Sequence, residues 1–279
     1  LNGKKYHTHI IPAGIFFNIN SYIGPDCFIN VDDFLNEINY LKENGFDTNV
    51  IKISPNAHII TKEHKNEDLK KYKTQQGSTG KGIAPCAKDK FGRNGILVKN
   101  YNDDKLKQYI FTGELYGDLL CEGAQGFWLD INYGNYPFVT SSYTLPYSAC
   151  SLGFPIQKIR HIYGAAKIYD TRVGVDPTFS DDLLKDDILN KIVIVGNEFG
   201  TTTGRTRKAN WLNLDKLIEA INISGTTHII ISKVDILKQV KVYKFIYNDE
   251  YVNCESLDIL LKKIKNIITE KCSYIEKII

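Results

Sequence analysis

Gly77–Arg93, GSTGKGIAPCAKDKFGR, sets Gly77, Gly80 and Gly82, the hydroxyls of Ser78 and Thr79, and Lys81 ahead of an apolar run. A nucleoside-triphosphate loop of the G-x-x-x-x-G-K-[ST] type leaves a buried strand and follows its lysine with a hydroxyl that reaches magnesium. Here Lys81 is followed by Gly82, and the preceding KYKTQQ is too polar for a buried strand. The triphosphate reading therefore fails twice. What remains is a loop of freed backbone amides and hydroxyls, a concavity suited to a monophosphate. The alternative is a flexible surface loop with an incidental lysine.

Outward from that loop, strand-like and helix-like periods alternate. KKYHTHIIPAG reads as a strand ending at Pro12–Gly14, NVIKIS as a short strand, and DLLCEG as a buried strand entering a site. KIVIVG repeats the DLLCEG pattern, THIIIS is a short apolar run, and VKVYKFIY alternates as a half-exposed strand does. Between these lie VDDFLNEINYLKENG, with Phe34, Ile38 and Leu41 at helical spacing, and the polar helix TKEHKNEDLKKYK. NLDKLIEAINIS and SLDILLKKIKNIITEK show clear amphipathic stripes. Strands interleaved with helices predict an α/β fold, a largely parallel central sheet flanked by helices, with ligands gathered in loops at the carboxyl ends of strands.

Bulk properties narrow the function. The chain has 279 residues, 43% hydrophobic and 24% charged, with a net charge of only +3. That excess implies neither nucleic acid nor a membrane surface as partner, and no apolar window is long enough to span a bilayer. The six cysteines form no C-x-x-C pair and the six histidines show no ligand spacing, so no metal site is expected within this chain. Scattered cysteines fit reduced thiols and a cytoplasmic location. There is no methionine, even at position 1, which suggests a fragment.

Three further stretches bear on chemistry. EGAQGFWLDINYGNYPFVTSS, Glu122–Ser142, offers Gln125, which can donate and accept in one plane against a base edge; a turn-stabilising glutamine is the alternative. GTTTGRTRKANW, Gly200–Trp211, combines a run of threonines with Arg205 and Arg207, which can fork onto anionic groups, or form a plain basic turn. SKVD, Ser232–Asp235, follows THIII as [N/T]-K-x-D does in guanine-nucleotide proteins. An Asp carboxylate accepts from the N1–H and exocyclic amine of guanine; adenine would leave it unpaired at a cost of about 1–3 kcal/mol.

Taken together, in order and wording, these stretches resemble adenylosuccinate synthetase from NGKKYH through Asp235. The resemblance implies a P-loop-NTPase-like fold in a single domain, 1–279, and a cytoplasmic homodimeric ligase of AMP biosynthesis. Such an enzyme joins L-aspartate to IMP through 6-phosphoryl-IMP, using GTP as co-substrate and Mg2+ as cofactor. It assigns IMP contacts to Thr79, Gln125, Thr140 and Arg205, and makes Arg93 the arginine that reaches IMP in the partner's site. Gln125 is the catalytic residue expected here, stabilising charge at O6. Thr201, Thr202, Thr203, Arg205 and Arg207 match the aspartate loop; Arg207, Lys233 and Asp235 match the GTP contacts.

Several positions depart from the family's pattern. Its G-D-E-G-K-G phosphate loop with the aspartate base, its N-x-G-H acid and its closing S-x-G-P turn are not present, so truncation at both ends and an inactive fragment are expected. The metal ligands are expected in the N-terminal segment rather than here. Ser78, Thr206 and Asp176 replace the usual threonine, arginine and glycine. Two alternatives stay open: a phage-type 2-aminoadenylosuccinate synthetase acting on dGMP, and a non-catalytic nucleotide-binding remnant.

Overall fold

The computed structural model describes Leu1, residues 3–200 and residues 204–279. The chain groups into two compact units. One contains Leu1–Gly126, Asp130–Asn132 and Val139–Ile156; the other contains Phe127–Leu129, Tyr133–Phe138 and Gln157–Ile279.

In the first unit Asn30 caps the helix Val31–Glu43 by accepting the Asp33 amide at 3.0 Å. Asp32 and Asp33 complement the positive end of its first turn. The stripe Phe34, Ile38 and Leu41 is buried and packs with Ile51 and Ile53. Each such side chain contributes about 1.5–3 kcal/mol on burial. Ile51–Ile53 pairs in parallel with Ser21–Ile23, and His58–Ile59 pairs in parallel with Phe28–Ile29. Thr61 and His64 then form a reciprocal capping box that starts the helix leading to the glycine loop.

The second unit is built on a parallel three-stranded sheet with His228–Ser232 between Tyr163–Lys167 and Lys277–Ile278. Antiparallel pairs join Tyr169–Arg172 to Lys208–Trp211 and Lys244–Tyr247 to Glu250–Asn253. Asn213 and Ser256 cap the helices Leu214–Ser224 and Leu257–Lys271. Their stripes, Leu214 with Ile221 and Leu260 with Ile264 and Ile268, join Trp211 and Phe245 in one core. The α/β class with parallel pairing read from the sequence is the class observed.

Three segments differ from expectation. KKYHTHIIPAG is not a strand: the Glu37 carboxylate accepts the amides of His9 at 2.5 Å and Ile10 at 3.0 Å, taking donors a ladder would need. KIVIVG lies in the helix Asp187–Val195. Asp186 caps that helix through the Ile188 and Leu189 amides, and Leu189, Ile192 and Val193 share its buried face, so cap and packing override β-branched propensity. DLLCEG is neither strand nor buried; Leu120 is 91% exposed, and no described strand pairs with it.

Candidate functional site

The glycine loop leaves a helix, Lys73–Gln76, rather than a strand, and enters the helix Ile83–Gly92. That geometry agrees with rejecting a triphosphate loop. Gly77, Gly80 and Gly82 all hold left-handed backbone, φ +68°, +72° and +83°. At Gly82 a Cβ would lie 2.8 Å from Ile60 Cγ2 and 3.0 Å from the Lys65 amide, so glycine is required twice over. The loop is fastened from below by Asp68, a carboxylate only 2% exposed. One of its oxygens accepts the Ser78 hydroxyl and the other the Gly82 amide at 2.6 Å. The Gly80 amide donates to Ser78 Oγ at 3.2 Å, which makes Ser78 a strut of the loop, while Thr79 at its tip is exposed.

Arg93 stands at the other end of Ile83–Gly92, about 15 Å from the loop by helix rise. It is exposed and ends the helix in left-handed backbone, φ +62°. Gln125 is likewise exposed with φ +69°. A non-glycine residue in that region is a backbone outlier of the kind that gathers at working sites. Thr140 is half-buried, its hydroxyl 3.4 Å from that of Ser142. The loop around it is held by Asp130, fully buried, which accepts the amides of Asn132 at 2.8 Å and Thr144 at 2.6 Å. The LDI motif thus contributes an internal anchor for VTSS.

In the second unit Thr201, Thr202 and Thr203 lie outside the described residues. The chain on either side is closed by Gly204 N–H to Gly200 C=O at 2.7 Å and by Arg207 N–H to Glu198 C=O at 2.9 Å. Arg205 is half-buried beside this closure. The Glu198 side chain is the hub. Its carboxylate accepts Lys167 Nζ at 2.7 Å, Tyr169 Oη at 2.8 Å and Arg207 Nη1 at 3.1 Å. Burial alone would raise its pKa, but the hydrogen bonds from Lys167 and Tyr169 and the charges of Lys167 and Arg207 outweigh it and hold it below the ordinary value. Lys167 is also lowered, because its own burial exceeds the help it gets from Glu198. Three donors serve the carboxylate, while Lys167 has one carboxylate and two cationic neighbours, Arg207 and Lys233.

Lys233 follows the carboxyl end of the central strand in left-handed backbone, φ +64°, and its ammonium donates to the Gly196 carbonyl at 2.7 Å. Gly196 has no room for a side chain, since a Cβ would sit 2.5 Å from Tyr169 Oη. Asp235 is exposed in the first turn of Val234–Val240. The structure therefore gathers Arg207 and Lys233 on the single segment Gly196–Glu198. Asp176, the departure from glycine, has internal partners: it accepts from Asn135 Nδ2 at 3.0 Å and Thr178 Oγ1 at 2.8 Å, and lies 3.2 Å from Arg172 Nε. Sequence reasoning missed Asp68, Asp130 and Glu198. Their only signal was an acidic residue beside a recognised loop, and in a charged stretch such as NEDLKKYK a buried carboxylate looks like a solvated one.

The adenylosuccinate synthetase family model matches residues 1–116 and 113–274. An adenylosuccinate synthetase of Desulforapulum autotrophicum is 34% identical over 85% of this chain and 68% of its own length. One from Thermoplasma volcanium is 30% identical over 99% of this chain and 75% of its own. The fully ligated Plasmodium falciparum adenylosuccinate synthetase superposes with a TM-score of 0.73 at 25% identity, covering 92% of this chain and 73% of that one. The cyanophage S-2L succinoaminodeoxyadenylate synthetase, solved with dGMP and dATP, shares the fold at TM-score 0.60 and 19% identity, over 96% of this chain and 86% of that one. Glycine loop, arginine loop and lysine–aspartate pair thus belong to a chain of the adenylosuccinate synthetase family, ligases that join aspartate to IMP with GTP.

Proposed function

We propose that the family's site residues act in this chain as their positions in the sequence imply. Thr79 and the amides of the glycine loop take the IMP phosphate, with Thr140 and Arg205 as further IMP contacts. Gln125 donates to O6 as negative charge develops there, a hydrogen bond that strengthens towards the transition state. Thr201, Thr202 and Thr203 with Arg205 and Arg207 hold the aspartate carboxylates. Arg207, Lys233 and Asp235 serve GTP, with Asp235 reading the guanine edge. Arg93, exposed and a helix length away from the loop, serves a second subunit of a homodimer in the cytoplasm.

The observation that supports this reading best is the shared anchor of Arg207 on Glu198 and of Lys233 on Gly196. A side chain from the arginine loop and one from the guanine reader are then fixed relative to each other before any ligand arrives, which lowers the ordering cost of binding.

The family is GTP-dependent and generally uses Mg2+. Magnesium needs several free oxygen ligands. Asp68, the buried carboxylate at the glycine loop, already has both oxygens engaged by Ser78 and Gly82. The glycine loop does not fit a magnesium site.

Equilibrium binding of GTP and ATP to the chain and to Asp235→Asn tests the reading. The native chain is expected to favour GTP, and the amide to cut that preference by roughly ten- to a hundredfold, the worth of about 1–3 kcal/mol. An unchanged preference would remove Asp235 as the guanine reader. Binding of IMP against dGMP in the same assay separates the ordinary substrate from the phage-type one.

A further inference from the structure

We propose that His161, His228 and Glu276 form a binding site for a divalent transition-metal cation, Zn2+ foremost, at the end of the parallel sheet opposite Lys233 and Asp235. His161 precedes the strand Tyr163–Lys167, His228 opens the central strand, and Glu276 precedes Lys277–Ile278. All three strands run parallel, with His228 opposite Tyr163 on one side and Lys277 on the other. Their amino-terminal ends therefore align, and the three side chains meet on one rim. Lys233 and Asp235 follow the opposite end of the five-residue central strand, roughly 15 Å away.

The donor atoms all lie within 4.8 Å of one another. Glu276 Oε2 is 3.7 Å from His161 Nδ1 and 3.9 Å from His228 Nε2. A tetrahedral ion with bonds of about 2.0–2.1 Å wants donors about 3.3 Å apart. The contraction is small, and the His161 and Glu276 side chains, 54% and 55% exposed, are free to rotate into it. Two imidazoles and a carboxylate suit Zn2+ or Co2+, whereas Mg2+ prefers an all-oxygen shell.

The less mobile ligand is already oriented. His228 is 14% exposed at its side chain, and its Nδ1 lies 2.9 Å from Thr227 Oγ1. That hydroxyl oxygen accepts the Ile162 amide at 2.9 Å and can direct its own proton to the Ile162 carbonyl at 3.3 Å. Its remaining lone pair then accepts Nδ1–H of His228, a tautomer assigned from the network, which leaves the Nε2 lone pair facing Glu276. Glu276 is placed by its backbone, whose N–H donates to the Thr227 carbonyl at 2.8 Å. Metal-binding histidines are commonly fixed through their second nitrogen in this way. A bound ion would clip the two-residue last strand to the sheet.

Metal-stripped protein is titrated with Zn2+ against a chromophoric chelator, and separately with Co2+ read by absorption. One ion per chain is expected, with His161→Gln and Glu276→Gln each weakening it at least tenfold and the double variant abolishing it. Zn2+ should raise the melting temperature of the native chain and leave that of the double variant unmoved. Both substitutions fall on exposed side chains, and an unchanged circular dichroism spectrum confirms that the variants fold. Undiminished Zn2+ affinity in the double variant, a thiolate-to-cobalt charge-transfer band, or displacement by excess Mg2+ would overturn the assignment.

Discussion

Replacing Glu198 tests the arrangement that fixes the arginine loop. Glu198→Gln keeps the shape of a side chain 2% exposed but removes the charge facing Lys167 and Arg207. Hydrogen bonds to a charged group contribute about 1.5–3 kcal/mol each, and breaking a fully buried pair costs about 3–5 kcal/mol. Here the cations retain 24% and 31% side-chain exposure, so water recovers part of that loss. The expected cost is about 2–3 kcal/mol at neutral pH. Lys167→Met should cost under about 1 kcal/mol, because burial already works against that ammonium and its removal leaves Glu198 two donors. The folded carboxyl titrates below its ordinary 4.5. Its stabilising share is therefore complete above that pH and fades as pH falls through the lower folded value. Urea unfolding of the three proteins at neutral pH and in acid measures all of this. Lys167→Met costing as much as Glu198→Gln, or a Glu198→Gln penalty that persists undiminished in acid, would refute the carboxylate-centred account.

The remaining predictions concern the loop, a half-buried carboxyl and the proposed dimer. Gly82→Ala should destabilise by roughly 2–4 kcal/mol, combining left-handed backbone with the 2.8 Å clash on Ile60, whereas Gly45→Ala, at φ +82° in open space, should cost about half that by chemical denaturation. Burial pushes Asp170 up to about 6 despite the Asn213 amide donating to it. A raised folded value means its stabilising share is held below the unfolded 3.8 and lost as pH rises through about 6, so Asp170→Asn should gain on the native chain across that window; parallel stability curves would contradict this. Arg93→Leu should weaken IMP binding and be rescued in mixed dimers with a differently disabled subunit; failed rescue counts against sharing of Arg93 between subunits.

Helices were legible where their apolar stripe was clear. Phe34, Ile38 and Leu41 state the buried face, and the structure follows them, adding Asn30 as the cap. KIVIVG was misread because its residues favour strands, and only Asp186 upstream and the core below decide otherwise. DLLCEG was misread because an apolar run shows what a segment could bury, and the structure leaves it exposed, with no strand among the described residues paired to it. The loops proposed to meet ligands, GSTGKG, EGAQG and SKVD, were visible in the sequence, because short-range chemistry requires those types side by side. The residues that hold these loops were not.

The sequence by itself determined the class, the family and the loops proposed to bear the chemistry, since glycine permissiveness, helical periodicity and motif order are properties of neighbours along the chain. Only the tertiary structure decided that Asp68 and Glu198 are internal anchors, that Arg207 and Lys233 share the segment Gly196–Glu198, and that His161, His228 and Glu276 meet on one rim. The reason is physical. Burial and parallel register bring together residues separated by tens of positions, and a side chain's charge does its work through what surrounds it in space.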